Sequence, residues 1–342
     1  MKTSLALGKP ITGWLALAAL AIFNLQPSTA LAQGTASTPN AIPAATAASL
    51  AIPSGMALIP AGAFTMGDSL DGTRAATPPI SVTVSAFYMD TNLVSYSQWQ
   101  AVYNWATKHG YGFDHAGAGK AANHPVQNVD WYDVVKWCNA RSQQSGKTPV
   151  YYTDAGMTQV YTNGEVSPSV NWSAKGYRLP TEVEWEKAAR GGLSGLRFPW
   201  GNTISERLAN YCEFTGIYDW GQTGYNPAFT NGGYPYTSPV GSFAPNGYGL
   251  YDMAGNVEEW CWDWYGTPYA GGTDPRGPAS GSYRVLRGGY WNNYGFTCRT
   301  AQRYNSYPTD FFNYFGFRSV LPSGQRAGTG GAVEVERGTS GD

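Results

Sequence analysis

The stretch from Arg284 to Val320, RVLRGGYWNNYGFTCRTAQRYNSYPTDFFNYFGFRSV, places the tightest limits on how this chain can fold. Between Tyr290 and Phe317 it carries 11 aromatic residues in 28 positions, against 15% aromatic residues for the whole chain. One core cannot absorb so many rings, and the interleaved Asn292, Asn293, Asn305, Ser306, Thr309, Asp310 and Asn313 suit contact with water. Part of the stretch is therefore predicted to face solvent as a concave recognition surface.

A net charge of −1 with 13% charged residues gives no electrostatic footprint for nucleic acid or an acidic membrane, so neither is expected as a partner. Residues 1–32 hold Lys2 and Lys9, an apolar run from Ile11 to Phe23, then Ala30-Leu31-Ala32. That basic, apolar, small-x-small order predicts a signal peptide cleaved after Ala32 and a secreted or periplasmic protein. The apolar run is shorter than the ~20 residues of a bilayer span, so no membrane span is expected after cleavage. Export would put Cys138, Cys212, Cys261 and Cys298 where disulfides persist; they are expected to staple loops, with three complete pairings open. No CxxC occurs and the histidines are His109, His115 and His124, a pattern that argues against a structural zinc site or a three-histidine iron site.

Residues 33–54 are mostly Ala, Thr, Ser and Pro and predict a disordered linker, and 323–342 predict a disordered Gly-rich tail. The domain between them, 55–322, opens with two strand-like runs, MALIPAGAFTMG (56–67) and ISVTVSAFYMD (80–90), the second alternating Ile80, Val82 and Val84. Three short helices follow. The first carries Trp99, Val102, Tyr103 and Ala106 at helical spacing and stops at Gly110. The second is capped by Asp130 and buries Trp131, Val134, Val135 and Cys138, and the third has a capping box from Thr181 and Glu184 and ends at Gly191. Beyond residue 192 Gly, Tyr, Trp, Pro and Asn dominate, which predicts long ordered loops over a few short strands.

The motifs MALIPAGAFTMG, VDWYDVVKWCNA, YRLPTEVEWEKAARGG, FPWGN, SPVGSFAPNGYGLYDMAGNVEEWCWDWY and RVLRGGYW…GFRSV, in that order, resemble the sulfatase-modifying-factor, or formylglycine-generating-enzyme-like, family over about residues 55–321. The resemblance implies a C-type-lectin-like α+β fold with little regular structure. Enzymes of that family oxidise a sulfatase cysteine to formylglycine with two cysteines that bind copper(I). Counted from Gly289, those positions fall on Asn293 and Cys298, and the enzyme's serine after the glycine pair falls on Tyr290. One thiol cannot replace two as ligands of a soft, low-coordinate ion, so copper is not expected.

The resemblance also implies structural calcium, held by Asp252, the carbonyls of Gly255 and Val257, and Glu259, an all-oxygen set. A second family site would begin at Asn210 and Tyr211, but its aspartate position meets Gly232, with Asn231 one residue away. Glu258 stands where many relatives have a tryptophan; it and Glu259 are expected on opposite strand faces, which argues against a catalytic carboxylate pair. Asp263 is expected to brace the aromatic segment by an ion pair with Arg284 or Arg287.

Two functions compete. The first is a non-catalytic module whose 290–317 surface binds a peptide, protein or carbohydrate through Tyr290, Trp291, Asn293, Tyr294, Tyr304, Tyr307 and Phe312, since tyrosine gives large contact area at low entropy cost. The variable proteins of retroelement-driven diversification resemble this family and vary positions in such a segment. The second is an oxidoreductase, either a cysteine oxidase working through Cys298 or a cysteine-independent enzyme like the family members that mature the siderophore pyoverdine in the periplasm.

Overall fold

The structure, a computed structural model, describes residues 52–71, 78–213, 216, 218–219, 223–269 and 271–324. The predicted signal peptide, nearly all of the predicted linker and the predicted tail after Gly324 lie outside these residues. No described helix is long and apolar enough to cross a membrane.

Each of the two opening strand runs divides in two. β1 (Met56–Ile59) and β2 (Gly62–Met66) part at Pro60, which has no N–H to give a ladder; β3 (Ile80–Val84) and β4 (Phe87–Asp90) part at Ser85. The division lets each run serve two sheets. Helices α1 (Tyr96–Ala106) and α2 (Trp131–Gln144) follow, then β5 (Tyr151–Tyr152) and β6 (Ser169–Val170), then α3 (Glu182–Arg190). The later chain supplies β7 (Cys212–Glu213), β8 (Gly224–Tyr225), β9 (Glu258–Trp264), β10 (Gly272–Thr273), β11 (Arg284–Arg287), β12 (Arg303–Ser306), β13 (Phe315–Gly316) and β14 (Val320–Pro322). β4 lies between β1 and β14, β3 lies between β2 and β10, and the central sheet runs β12-β11-β9-β13. β13 runs parallel to β9, while β11 is antiparallel to both β9 and β12.

The helices begin where their caps are written. Ser95 accepts from Gln98 N, Asp130 from Asp133 N, and Thr181 and Glu184 close the reciprocal capping box. α1 and α2 lock together through Trp99 and Trp137, whose rings lie parallel 5.9 Å apart. Alternation along the central sheet then sorts its two faces. Trp260, Leu286 and Phe315 join the core built on α1 and α2, whereas Cys261 and Val285 join Val183, Trp185, Ala188 and Ala189 of α3. Phe198, Ile204, Ala209, Tyr211, Ala254 and Cys298 form a third, smaller core. Among the described residues this is an α+β fold of three short helices, small strands and long ordered loops.

The expected disulfides are not formed: all four cysteines are free. The three cores explain why, since Cys138, Cys261 and Cys298 each pack in a different one and Cys212 is half-buried on β7. Pinning falls to buried ion pairs and rings instead. Glu186 accepts from Gly67 N at 2.7 Å, from Arg190 at 2.7 and 3.0 Å, and from Arg287. Glu182 takes Arg303 at 2.6 Å, and Arg287 also reaches Thr300 O at 3.1 Å. The ion pair expected between Asp263 and Arg284 or Arg287 is absent. Asp263 accepts from Glu182 N at 2.6 Å, and Arg284 lies between the Trp131 and Trp264 rings, 3.6 and 3.5 Å from their centroids.

Candidate functional site

The aromatic segment leaves β11 through Gly288-Gly289. A Cβ on Gly289, whose φ is +71°, would lie 2.8 Å from Cys298 Sγ, so only glycine lets the loop close over the buried thiol. Trp291 N donates to Asn256 O at 3.0 Å and Cys212 N to Asn293 O at 2.9 Å, which fixes the loop against the turn before β9 and against β7. The chain returns through a short 3₁₀ turn, Gly295–Cys298, to the edge strand β12. The 307–314 loop is held by Trp131 N to Pro308 O and Asn128 N to Phe312 O, both 3.0 Å.

Of the sequence-predicted contact residues, Tyr294, Tyr304, Tyr307 and Phe312 are exposed, and Tyr290 and Asn293 are half-buried. Trp291 is not on the surface. It is 1% exposed, its Nε1 donates to Asn313 O at 3.2 Å, and its ring packs 5.4–5.9 Å from Tyr225, Tyr234 and Tyr236. Burying the largest side chain of the set is the expected use of its apolar area. The remaining rings are ordered by stacking: Tyr290 lies on Tyr314 at 4.1 Å, and Tyr314 lies on Phe312 at 5.2 Å with planes 4° apart. Tyr283 pairs with Tyr307 at 4.6 Å, and Phe311 covers His115 at 3.7 Å. Reading the sequence missed Tyr314, Tyr283 and Phe311, although the density of rings in DFFNYFGF was the signal for two of them. A cavity of about 540 Å³ lies elsewhere, lined by Trp172, Arg178, Glu184, Asp274 and Arg276 among others, and none of the sequence-predicted contact or metal residues lines it.

Beneath the stacked rings sits Glu258. Its N–H donates to Tyr314 O at 2.8 Å, its side chain is 2% exposed, and its Oε2 has no hydrogen-bond partner. Burial pushes its carboxyl up to about 8; burial also raises the phenols of Tyr290 and Tyr314, and the nearby Glu258 carboxyl adds to that rise. Its neighbour Glu259 points to the other face, where both oxygens take Arg318, at 2.7 and 3.0 Å. Cys298 is fully buried, and burial pushes its thiol up to about 12.

The calcium-type residues divide into two cases. Asp252 sits in the left-handed region at φ +53°, accepts from Gly241 N through Oδ2 at 2.7 Å, and keeps a buried Oδ1 with no partner. Burial pushes Asp252 up to about 6, with Glu259 adding to the rise, so the two carboxyls lie within electrostatic reach. The orphaned Oδ1, with Gly255 and Val257 in the same turn, offers oxygen donors of the kind calcium takes, while the Arg318 guanidinium holds both oxygens of Glu259. Asn210 donates its amide to Tyr236 O at 2.8 Å, Asn231 and Gly232 are exposed, and the side chain nearest a Cβ on Gly232 is the lysine stem of Lys120, at 3.7 Å. Lys120 brings a cation of its own, hydrogen-bonded to Phe229 O at 2.8 Å, and so opposes a second metal ion there.

A family model described as the sulfatase-modifying factor enzyme 1-like domain matches residues 44–322. The formylglycine-generating enzyme of Thermomonospora curvata is 35% identical over 298 residues, 78% of this chain and 93% of that one. The Mus musculus enzyme of the same name is 34% identical over 77% of this chain and 74% of its own. Among solved structures, Treponema denticola variable protein 1 superposes with a TM-score of 0.61 at 30% identity, over 78% of this chain and 94% of that one.

Proposed function

This chain belongs to the sulfatase-modifying factor enzyme 1-like family, and from that premise we propose that it is a non-catalytic, exported member whose Tyr290–Phe317 surface binds a peptide, protein or carbohydrate. The observation that carries this reading is the state of the one thiol in the segment. Cys298 is buried under Gly289 with its thiol pushed up to about 12, and the position that would supply a second sulfur holds Asn293. A thiol held protonated is neither a good nucleophile nor a good metal ligand. Tyr294, Tyr304 and Phe312 supply exposed rings, and the buried Trp291 and the β11–β12 pair hold them in place.

Oxidase activity has its own support in the identity to the T. curvata enzyme. Incubating the protein with copper(I), oxygen and a cysteine-containing sulfatase peptide separates the two. No aldehyde is expected, and binding on a glycan and peptide array is expected to be lost when Tyr294, Tyr304 and Phe312 are all changed to Ala. Aldehyde formation that Cys298→Ser abolishes would overturn the non-catalytic reading.

We also propose that Asp252, Gly255, Val257 and Glu259 hold a structural Ca²⁺. Ligand at about 100 times its Kd stabilises a native state by about 2.7 kcal/mol, so calcium is expected to raise the Tm by several degrees. Asp252→Ala is expected to remove most of that rise. An identical melting curve in chelator and in calcium would exclude the site.

A further inference from the structure

We propose that His115, Asp130 and Asp133, with Asp114 and Glu165 at the rim, form a binding site for a divalent transition metal ion, zinc being the best fit. Two overlapping groups of ligand atoms share Asp130. His115, Asp130 and Asp133 each place one atom within 4.8 Å of the others, and so do Asp114, Asp130 and Glu165.

The fold delivers these groups independently of the recognition surface's function. Asp130 caps α2, so its Oδ1 is committed to Asp133 N at 2.6 Å, while its Oδ2 is fully buried with no hydrogen-bond partner. Asp133 follows on the first turn. His115 comes from the loop after α1 and is fastened by its own N–H to Asp133 Oδ2 at 2.8 Å, and the Phe311 ring covers its imidazole at 3.7 Å.

Distances then admit a shared ion as well as the direct hydrogen bond between His115 Nδ1 and Asp133 Oδ2. His115 Nδ1 lies 3.2 Å from Asp133 Oδ2 and 3.5 Å from Asp130 Oδ2. A charge-assisted N–H to carboxylate bond closes to about 2.7–2.9 Å. Two atoms bound tetrahedrally to one zinc at about 2.0–2.1 Å sit about 3.4 Å apart, which these spacings bracket.

Charge points the same way. Lys136 is 0% exposed and bridges Asp133 Oδ1 and Asp114 Oδ2 at 2.9 Å each, so its charge is spread over a group that also holds the carboxylates of Asp130 and Glu165. Lys136 takes Asp133 Oδ1, while Oδ2, which also accepts the His115 backbone N–H, faces the imidazole. An imidazole nitrogen among carboxylates selects a first-row transition metal over calcium, which takes oxygen alone.

The test titrates the whole protein with Zn²⁺ by calorimetry in excess calcium, which occupies the Asp252 set, and repeats it with Co²⁺ followed by visible absorption. One equivalent of zinc is expected, and an absorption band from cobalt bound to nitrogen and oxygen. His115→Ala and Asp130→Asn are each expected to weaken binding at least about tenfold, because losing even an outer-sphere partner costs about 10–100-fold. Asp130→Asn keeps the helix cap, and His115 is partly exposed, so both variants should fold; Asp252→Ala should leave the affinity unchanged. Absence of zinc uptake, or uptake indifferent to both substitutions, would overturn the site and leave His115 as an ion-pair partner of the two aspartates.

Discussion

Glu186→Ala is expected to cost about 3–5 kcal/mol of folding stability, a large share of what holds an ordinary domain together. Glu186 is 0% exposed and binds Gly67 N, Arg190 and Arg287 at once. Burial alone would raise its carboxyl, but Arg190 and Arg287 outweigh that and hold it below the usual range. Removing the carboxylate takes the shared counter-charge from two guanidiniums in a dry interior, leaving Arg287 with Glu182 Oε1 at 3.3 Å and Arg190 with Gly67 O, and that under-compensated charge makes the loss large. Because the folded pKa is depressed, the pair's contribution is present above the unfolded value of 4.5 and is lost as pH falls through the folded one. Urea midpoints at neutral pH, with the slope of the transition unchanged, measure the cost. A loss under about 1 kcal/mol would show that the network is not what fastens β11 and the 299–303 segment to α3.

The local signals of the chain were legible and the long-range ones were not. Caps announce themselves within four residues, so Asp130 and the Thr181–Glu184 box placed two helix starts correctly. The opening strands were visible by alternation, and Pro60 marks the first break locally, but the break at Ser85, which sends β3 to β10 and β4 to β14, depends on strands that arrive some 200 residues later. Disulfides were the natural expectation once the N-terminal pattern predicted export of a chain with four cysteines, and they fail because three separate cores each take one thiol. Asp263 was matched to arginines by charge alone. In three dimensions the helix N-terminus at Glu182 reaches it first, and aromatic faces take Arg284.

The candidate surface follows the same division. Its composition was readable, so most of the named tyrosines are exposed; which rings stack, and that Trp291 turns inward, depend on contacts with Tyr225, Tyr234 and Tyr236. The His115 cluster was hidden for another reason. Its histidine and aspartates sit 15 and 18 positions apart with no repeated spacing, and a search for clustered Cys and His passes over them.

Glu258→Gln is expected to stabilise the protein by about 4 kcal/mol at pH 8.5 and to change it little at pH 4.5–5. Glu258 is buried on β9 beside β13, and its pKa rises from 4.5 to about 8 because burial penalises the charge. A raised acid pKa fixes the sign. Between pH 4.5 and 8 the unfolded chain has released this proton while the native state still holds it, so stability falls as pH rises through that window. Every tenfold difference in proton affinity between the folded and unfolded chain is worth about 1.4 kcal/mol, which sets the upper size of the effect. Glutamine keeps the shape and the unpartnered oxygen but has no proton to lose, so the variant escapes the penalty only where the wild type suffers it. Paired urea titrations at pH 5 and pH 8.5 read the difference directly. Equal midpoints at both would mean that Glu258 is ionised in the native state and answered by a partner. At neutral pH a protonated Glu258 offers the rings above it a neutral donor rather than an anion, and buried acids held at such cost concentrate where ligands bind. The same substitution therefore bears on function: if the ligand meets this carboxyl, Glu258→Gln weakens binding to the surface while the fold grows more stable, a combination that a purely structural residue does not produce.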